Sequence, residues 1–349
     1  MPRMPNHLFP PYTRATPLPE LLQQRILVLD GAMGTMIQRQ KLDETQFRGE
    51  LLRDWAGAVQ GNNELLNLTQ PHVIAAIHAQ YLESGADLIE TNTFGATSIA
   101  QGDYGLAHLA IEMNLAAARL ACEQRDRFST PQRPRFVLGA IGPTPKTASI
   151  SPDVNDPATR NITFEELRQA YLEQARALVQ GGVDALLIET IFDTLNAKAA
   201  IFAIEECWEE CGERLPVLLS GTVTDASGRI LSGQTVSAFW YSVRHARPLC
   251  VGLNCALGAA LMRPSLQELH RAAPDVFLSC YPNAGLPNPM SDTGFDEKPE
   301  DTGRLLGQLA QEGLLNVAGG CCGTTPEHIR AIAEAVAYLP PRTLRAASA

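Results

Sequence analysis

The chain has 349 residues, a formal net charge of −10, 45% hydrophobic residues and eight cysteines. The negative charge argues against a nucleic-acid partner, which needs basic surfaces, and against an anionic membrane surface. Eight cysteines are too few for a disulfide scaffold, and no stretch approaches the roughly 18 apolar residues of a membrane span. The first residues also lack the apolar core of a secretory signal. We therefore expect a cytoplasmic protein whose thiols stay reduced and free to bind metal.

Residues 1–24 are polar and interrupted by prolines, and we predict that they form an irregular arm on the surface. After this arm, short apolar runs alternate with helical patterns. Most runs are continuous, as expected of parallel strands that are covered on both faces. The eight predicted strands are residues 26–30, 86–93, 136–142, 185–190, 217–222, 249–254, 276–280 and 315–319.

Helical patterns lie between these strands and after the last one. One of them opens with Thr163-Phe-Glu-Glu166, which has the spacing of a capping box. The predicted helices are residues 70–84, 104–125, 163–180, 194–210, 235–244, 265–272, 302–311 and 326–338. Eight strand–helix pairs predict an α/β fold, a single-domain (β/α)8 TIM barrel over residues 25–340, with a C-terminal tail at 341–349.

Two long insertions interrupt the barrel pattern, at residues 41–67 and 143–161. Both follow predicted strands, so they fall on the C-terminal rim, where the active sites of such barrels are built.

Acidic residues close three of the apolar runs: Asp30, Glu90 and Glu189. A buried acid is unfavourable unless it has a partner. Together the three acids would form a pocket for a cationic group such as an ammonium. The alternative is that Asp30 and Glu189 accept hydrogen bonds from backbone amides of their own loops.

Cysteines end two further runs. Cys321 and Cys322 are adjacent and flanked by glycines, and Cys255 closes the sixth run. Successive side chains of a regular strand point to opposite faces, so the adjacent pair converges only where the backbone bends. Three convergent thiols would be metal ligands; the alternatives for the pair are packed thiols or a vicinal disulfide. The other five cysteines are expected in the core, or at the surface for the last two named: Cys122, Cys250, Cys280, Cys207 and Cys211.

Three thiolates suit Zn2+, and a catalytic zinc site keeps its fourth position open, whereas a structural one is closed by four ligands. A zinc ion held by three thiolates is electron-rich, so it activates water poorly. It can still bind another thiol as the thiolate, although a free thiol is mostly protonated at neutral pH. The pattern therefore indicates S-alkylation of a thiol substrate.

Four motifs carry a family resemblance: Asp30-Gly-Ala-Met-Gly-Thr35, Ile89-Glu-Thr-Asn-Thr-Phe94, Gly252-Leu-Asn-Cys255 and Gly319-Gly-Cys-Cys-Gly-Thr-Thr-Pro326. They resemble the homocysteine S-methyltransferase family, and most closely the N-terminal homocysteine-binding module of cobalamin-dependent methionine synthases. Further similar stretches bring the resemblance to residues 26–338, nearly the whole chain.

The resemblance implies that Cys255, Cys321 and Cys322 bind zinc and that the homocysteine sulfur takes the fourth position, so that the zinc-bound homocysteine thiolate is the nucleophile. It also implies that Asp30 and Glu189 meet the ammonium of homocysteine. The backbone amides of Gly31 and Ala32 would bind its carboxylate, and Asn254 and Thr93 complete the predicted substrate-binding set.

The methyl donor implied by the resemblance is methylcobalamin held by a separate module or partner chain, with 5-methyltetrahydrofolate as the ultimate donor. The sequence has no cobalamin-ligating Asp-x-His-x-x-Gly pattern, so we expect the cobalamin- and folate-binding modules on another chain or outside this sequence. Two alternatives remain open. One is a self-sufficient methyltransferase that uses S-methylmethionine or betaine, and the other is a zinc-containing homocysteine-binding protein without turnover.

Overall fold

Eight parallel strands form one sheet in the order β1-β8-β7-β6-β5-β4-β3-β2. A parallel bridge between Leu29 and Leu88 joins the two end strands, so the sheet closes into a barrel. The computed structural model describes residues 9–224, 227–291 and 294–345. The strands are β1 (Leu27–Val28), β2 (Leu88–Glu90), β3 (Phe136–Ile141), β4 (Ala185–Ile191), β5 (Val217–Gly221), β6 (Cys250–Gly258), β7 (Phe277–Asn283) and β8 (Val317–Ala318). The predicted TIM barrel is confirmed, and every predicted strand lies at its expected place.

Helices cover the outside of the barrel, and each of the eight predicted helices is found. Over the described ranges the α-helices are α1 (Leu18–Gln24), α2 (Met33–Arg39), α3 (Glu44–Arg48), α4 (Leu66–Thr69), α5 (Pro71–Glu83), α6 (Ser98–Gly102), α7 (Ala110–Phe128), α8 (Phe164–Gly181), α9 (Thr194–Cys211), α10 (Val236–Val243), α11 (Ala259–Ala272), α12 (Pro299–Gln311) and α13 (Pro326–Val336). The predicted capping box opens α8, where the Thr163 side chain accepts from the Glu166 amide and the Glu166 side chain accepts from Thr163.

Alternation along the strands divides the core into two layers. Leu27 and Leu29 belong to the cluster inside the barrel, whereas Val28 packs in the layer between the sheet and the helices. Opposite faces for successive residues are the geometric consequence of an extended backbone. Because both faces are buried, the strands read as continuous apolar runs in the sequence.

The prediction of an irregular surface arm is wrong for its second half, while residues 1–8 lie outside the described residues. Residues Leu18–Gln24 form α1, which buries Leu18 and Leu22 in the cluster inside the barrel. Leucines four residues apart lie on one helical face, which gives this short segment an apolar side. The ring of Phe9 also stacks on Phe277, with centroids 5.3 Å apart. The arm therefore closes the N-terminal end of the barrel.

The C-terminal segment packs at the same end. Leu344 joins the inner cluster, and Arg342 is buried and donates to the backbone carbonyls of Val276 and Ala273 at 2.7 Å each. Residues 346–349 of the predicted tail lie outside the described residues.

Two strands continue further than the sequence predicted. β6 runs to Gly258 and β7 to Asn283, and their pairing register shifts between Asn254 and Gly258. These extensions carry polar side chains to the C-terminal rim. No described helix is long and apolar enough to cross a lipid bilayer.

Candidate metal centre and acidic pocket

The three predicted cysteine ligands converge at the C-terminal rim. The sulfur atoms of Cys255, Cys321 and Cys322 all lie within 4.8 Å of one another. Cys322 Sγ is 3.8 Å from Cys255 Sγ and 4.0 Å from Cys321 Sγ. A Zn–S bond of about 2.3 Å in tetrahedral geometry separates sulfur atoms by about 3.8 Å, so the observed trio fits a zinc ion. The cysteines are free thiols, which excludes the vicinal disulfide in this structure.

Unusual backbone conformations produce this convergence. Cys255 and Ala256 both have left-handed φ angles, 60° and 57°, at the register shift of β6. The Cys321 amide donates to the carbonyl of Pro282, and the Cys322 carbonyl accepts from the amide of Ala284. These bonds fasten the cysteine pair to the end of β7. Gly323, at φ 80°, completes the bend.

Hydrogen bonds connect the three thiols. The bonds from Cys321 and Cys322 lower the pKa of Cys255, and the bonds to Cys255 raise the pKa of Cys321 and of Cys322. Three sulfur donors around one point are a suitable environment for a soft divalent cation.

Asn254 connects the cysteines to the neighbouring strands. Its fully buried amide oxygen accepts from Ser220 Oγ at 2.7 Å and from the Thr190 amide at 3.1 Å. Its amide nitrogen donates to Thr190 Oγ1 at 2.8 Å and lies 4.0 Å from Cys321 Sγ. The side chain thus holds the left-handed Thr190 (φ 54°), the residue that follows Glu189, in a fixed relation to the cysteines.

Three acidic residues close strands at the same rim: Asp30 and Glu189 are buried and Glu90 is partly buried. One oxygen of Asp30 accepts from the Glu90 amide at 3.0 Å, so its backbone partner lies at the end of β2 and not in a loop. Glu90 Oε1 is buried without a hydrogen-bond partner. Among the residues that the structure describes, no lysine or arginine forms an ion pair with Asp30, Glu90 or Glu189.

Burial controls the protonation of these acids. It raises the pKa of Glu90 to about 8. Burial also raises the pKa of Asp30 and of Glu189. The charge of Glu90 adds to the rise at Asp30, and the charges of Glu90, Cys255 and Asp30 add to the rise at Glu189. Crowded carboxyl groups without a counter-ion favour their neutral forms, and a cation that entered the pocket would reverse this preference. Since Cys255 acts on Glu189, the acids and the cysteines belong to one site.

The other predicted substrate contacts lie in the wall of this site. The Ala32 amide donates to Thr324 Oγ1 at 3.2 Å. A Cβ on Gly31 would lie 2.8 Å from that same hydroxyl, so the close approach requires glycine. Thr93 is fully buried and donates to the Ala140 carbonyl at 2.7 Å. Gly31 and Ala32 directly follow Asp30, whereas Thr93 contacts Ala140 and Gln174, and the Ala32 amide and the Thr93 hydroxyl are already bonded to protein groups.

Sequence reasoning missed two polar residues near the end of β7. Tyr281 and Asn283 are 2% and 4% exposed, and Tyr281 Oη and Asn283 Oδ1 lack hydrogen-bond partners. The Asn283 side chain also bonds to Cys255, which further lowers the pKa of that thiol. The apolar run ends at Cys280, so Tyr281-Pro-Asn283 was taken to lie beyond the strand. The available signal was the position of these residues immediately after a predicted strand.

The remaining cysteines lie outside this site. Cys122, Cys207, Cys250 and Cys280 are buried, and Cys211 is exposed on α9. Across the described parts of the chain, the trio is the only cluster of potential metal ligands of its kind.

Known proteins resemble the chain over most of its length. The family model described as homocysteine S-methyltransferase matches residues 27–336. The oxidized form of the homocysteine methyltransferase MmuM from Escherichia coli is 21% identical, with a TM-score of 0.70 over 91% of this chain and 98% of that chain. The metallated form of the same protein is 23% identical, with a TM-score of 0.69 over 90% and 98%. At this identity the two structures establish a shared fold.

Proposed function

The chain belongs to the homocysteine S-methyltransferase family, and from that premise we propose that it binds homocysteine and zinc at this rim and methylates the homocysteine sulfur to give methionine. One observation supports this proposal above all others. Three convergent sulfur atoms lie at the same rim as three acids that have no cationic partner among the described residues. A ligand with a thiol at one end and an ammonium at the other satisfies both halves.

Cys255, Cys321 and Cys322 would hold the zinc ion, since their number, chemistry and spacing suit it. When bound, zinc lowers the pKa of a substrate thiol and keeps the resulting thiolate nucleophilic.

The acids orient the substrate by its other end. Glu189, Glu90 and Asp30 receive the ammonium, whose positive charge favours their ionised forms over the neutral forms of the ligand-free pocket. The amides around Gly31 and Ala32 receive the carboxylate; for Ala32 this means that its amide leaves or shares its bond to Thr324. Asn254 and Thr93 hold the wall in place. With the amino-acid end fixed, the sulfur faces the cysteines and the methyl donor approaches from the rim.

For the donor we propose methylcobalamin, carried by a separate module or partner chain, with 5-methyltetrahydrofolate as the ultimate source of the methyl group. The support is the insertion at residues 143–161. Within it, the motif Ser151-Pro-Asp-Val-Asn-Asp156 resembles the cobalamin-dependent branch of the family more than the other branches, and Val154 is almost fully exposed, at 97%. An exposed loop that follows β3 stands where a second module would approach the rim.

Methionine formation tests the donor. Zinc-loaded protein is incubated with homocysteine and, in separate reactions, with free methylcobalamin, S-methylmethionine or betaine. We expect methionine with methylcobalamin, and faster formation when a methionine-synthase cobalamin module is added. Equal turnover with a sulfonium or betaine donor in the absence of cobalamin would overturn the donor proposal. It would leave homocysteine methylation intact.

Binding measurements separate an enzyme from a protein that only holds homocysteine. Titration calorimetry and zinc absorption-edge spectra should show homocysteine binding and a new sulfur neighbour of the metal. If both appear while every donor fails to give methionine, the protein is a binding protein.

A further inference from the structure

Tyr281 lies inside the barrel at the level of the candidate site. It pairs in register with Asn254 across β6 and β7, and its side chain belongs to the cluster inside the barrel. Two residues further along β7, Asn283 reaches Cys255. The Tyr281 ring therefore stands beneath the pocket rather than in the outer layer against the helices.

The Tyr281 hydroxyl is buried and makes no hydrogen bond of regular geometry within the described ranges; its nearest polar neighbour is the Ser220 hydroxyl, which already bonds to Asn254. A buried polar group without a partner costs stability, whereas a phenylalanine at the same position would not carry that cost. The ionisable groups that act most strongly on this phenol are Glu189 and Glu90, followed by Cys321. They come from both halves of the site, so the hydroxyl faces the space between the acids and the cysteines.

We propose that Tyr281 is a substrate-binding residue whose hydroxyl contacts the amino end of the bound amino acid. This inference rests on the proposed function. The phenol oxygen accepts a hydrogen bond from the ammonium group. The phenol O–H in turn donates a hydrogen bond to a carboxylate of the pocket. Glu90 Oε1, which is also buried without a partner, lies in the same pocket and is satisfied by the same ligand. No covalent bond changes in this step.

A second tyrosine provides a matched control. Tyr12 Oη is likewise buried without a partner, and its side chain packs against the same inner cluster. Tyr12 belongs to the arm at the N-terminal end, however, and its ionisable neighbour is Arg214 rather than an acid or a thiol. A structural effect of removing a buried hydroxyl should appear in both tyrosines, and an effect on ligand binding in one only.

The test compares Tyr281→Phe and Tyr12→Phe in zinc-loaded full-length protein. The midpoint temperature of thermal unfolding without ligand should rise by about 2 °C in each variant, since each loses an unpaired buried hydroxyl. Calorimetric titration with L-homocysteine should show affinity about tenfold weaker in Tyr281→Phe, equivalent to about 1.4 kcal/mol, and unchanged in Tyr12→Phe. Titration with L-methionine should show the same tenfold loss, because the contact is to the amino end and not to the sulfur.

Unchanged affinity of Tyr281→Phe for both amino acids would overturn the inference while leaving the proposed function standing. A loss for homocysteine but not for methionine would also overturn it, because the contact would then be to the sulfur. If the unmodified zinc-loaded protein binds no homocysteine, the proposed function fails and the inference fails with it.

Discussion

The acidic residues at the two ends of the barrel differ in their partners: one at the N-terminal end is paired with arginines, and those described at the C-terminal end are not. At the N-terminal end, the carboxylate of Asp87 accepts hydrogen bonds from Arg25, Arg133 and Arg135, and one of its oxygens also accepts from the Val28 amide. At the C-terminal end, Glu189 is buried and Glu90 is partly buried with its Oε1 inaccessible, and no arginine or lysine of the described chain pairs with either.

This contrast separates groups that hold the fold from groups that await a ligand. A buried charge that is paired and hydrogen-bonded is tolerated, and removing its partner is strongly destabilising. A buried acid that has no partner destabilises the free protein. Such an acid is therefore expected where a bound ligand offsets the destabilisation. Asp87 is explained by the chain itself. In the proposed function, Glu90, Glu189 and the Tyr281 hydroxyl would gain their partners from the bound substrate.

The largest effect should come from breaking the C-terminal end at the metal. We expect Cys255→Ala to lower zinc affinity by at least about a hundredfold, because even changes outside the ligand shell cost ten- to hundredfold. Methionine formation should be abolished. Zinc content per chain after dialysis, together with the turnover assay, measures this.

Cys211→Ala is the matched control, since Cys211 is an exposed thiol far from the trio in sequence. It should retain zinc and activity. Full zinc occupancy in Cys255→Ala would contradict the three-cysteine site.

The next largest effect should appear at the N-terminal end, on stability alone. Asp87→Asn removes the charge that three arginines share, and we expect the free energy of unfolding to fall by about 3 kcal/mol. Denaturant unfolding measures the loss. Asp301→Asn, which weakens an exposed pair with Arg304, should cost less than about 1 kcal/mol. Homocysteine affinity of folded Asp87→Asn should be unchanged. A loss of affinity in this variant would contradict the prediction that Asp87 affects stability alone.

A matched change at the C-terminal end should have the reverse pattern. Glu189→Gln keeps the size of the side chain and removes the charge that would meet the ammonium. We expect homocysteine affinity to fall by roughly tenfold to thirtyfold, about 2 kcal/mol, with no loss of stability in the ligand-free protein. Glu209→Gln on the exposed face of α9 should change neither quantity. Destabilisation of ligand-free Glu189→Gln would mean that Glu189 has a structural role.

The smallest effect, when expressed per pH unit, should be a pH dependence of stability in ligand-free, metal-depleted protein. Burial raises the pKa of Glu90 from 4.5 to about 8, so between these values the folded state holds a proton that the unfolded state has released. Stability should therefore fall as pH rises through this window, by about 1 kcal/mol per pH unit. Denaturant unfolding at several pH values gives the slope. Glu90→Gln should flatten it, and an identical slope in that variant would remove Glu90 from the explanation.

Much of the fold was predictable because strands that are covered on both faces leave continuous apolar runs, and all eight runs are strands. The convergence of Cys255 with Cys321 and Cys322 was predictable from position, since every strand end of a closed barrel meets the same rim. The helix at Leu18–Gln24 was not predictable from periodicity, because it is only seven residues long and prolines surround it. Tyr281 and Asn283 were missed because a proline between them suggested the end of the strand. Whether a buried hydroxyl has a partner depends on distances between strands, which one sequence does not contain.

The left-handed backbone angles of Cys255 and Ala256 place strain at the end of β6, beside the cysteine trio. Such angles cost an ordinary residue about 1–2 kcal/mol each, so the end of β6 is held away from its relaxed shape. If the surroundings stopped holding it, a return to regular extension would turn the Cys255 thiol to the opposite side of the sheet. In the proposed metal site, a bound ion would add to the contacts that keep this backbone bent.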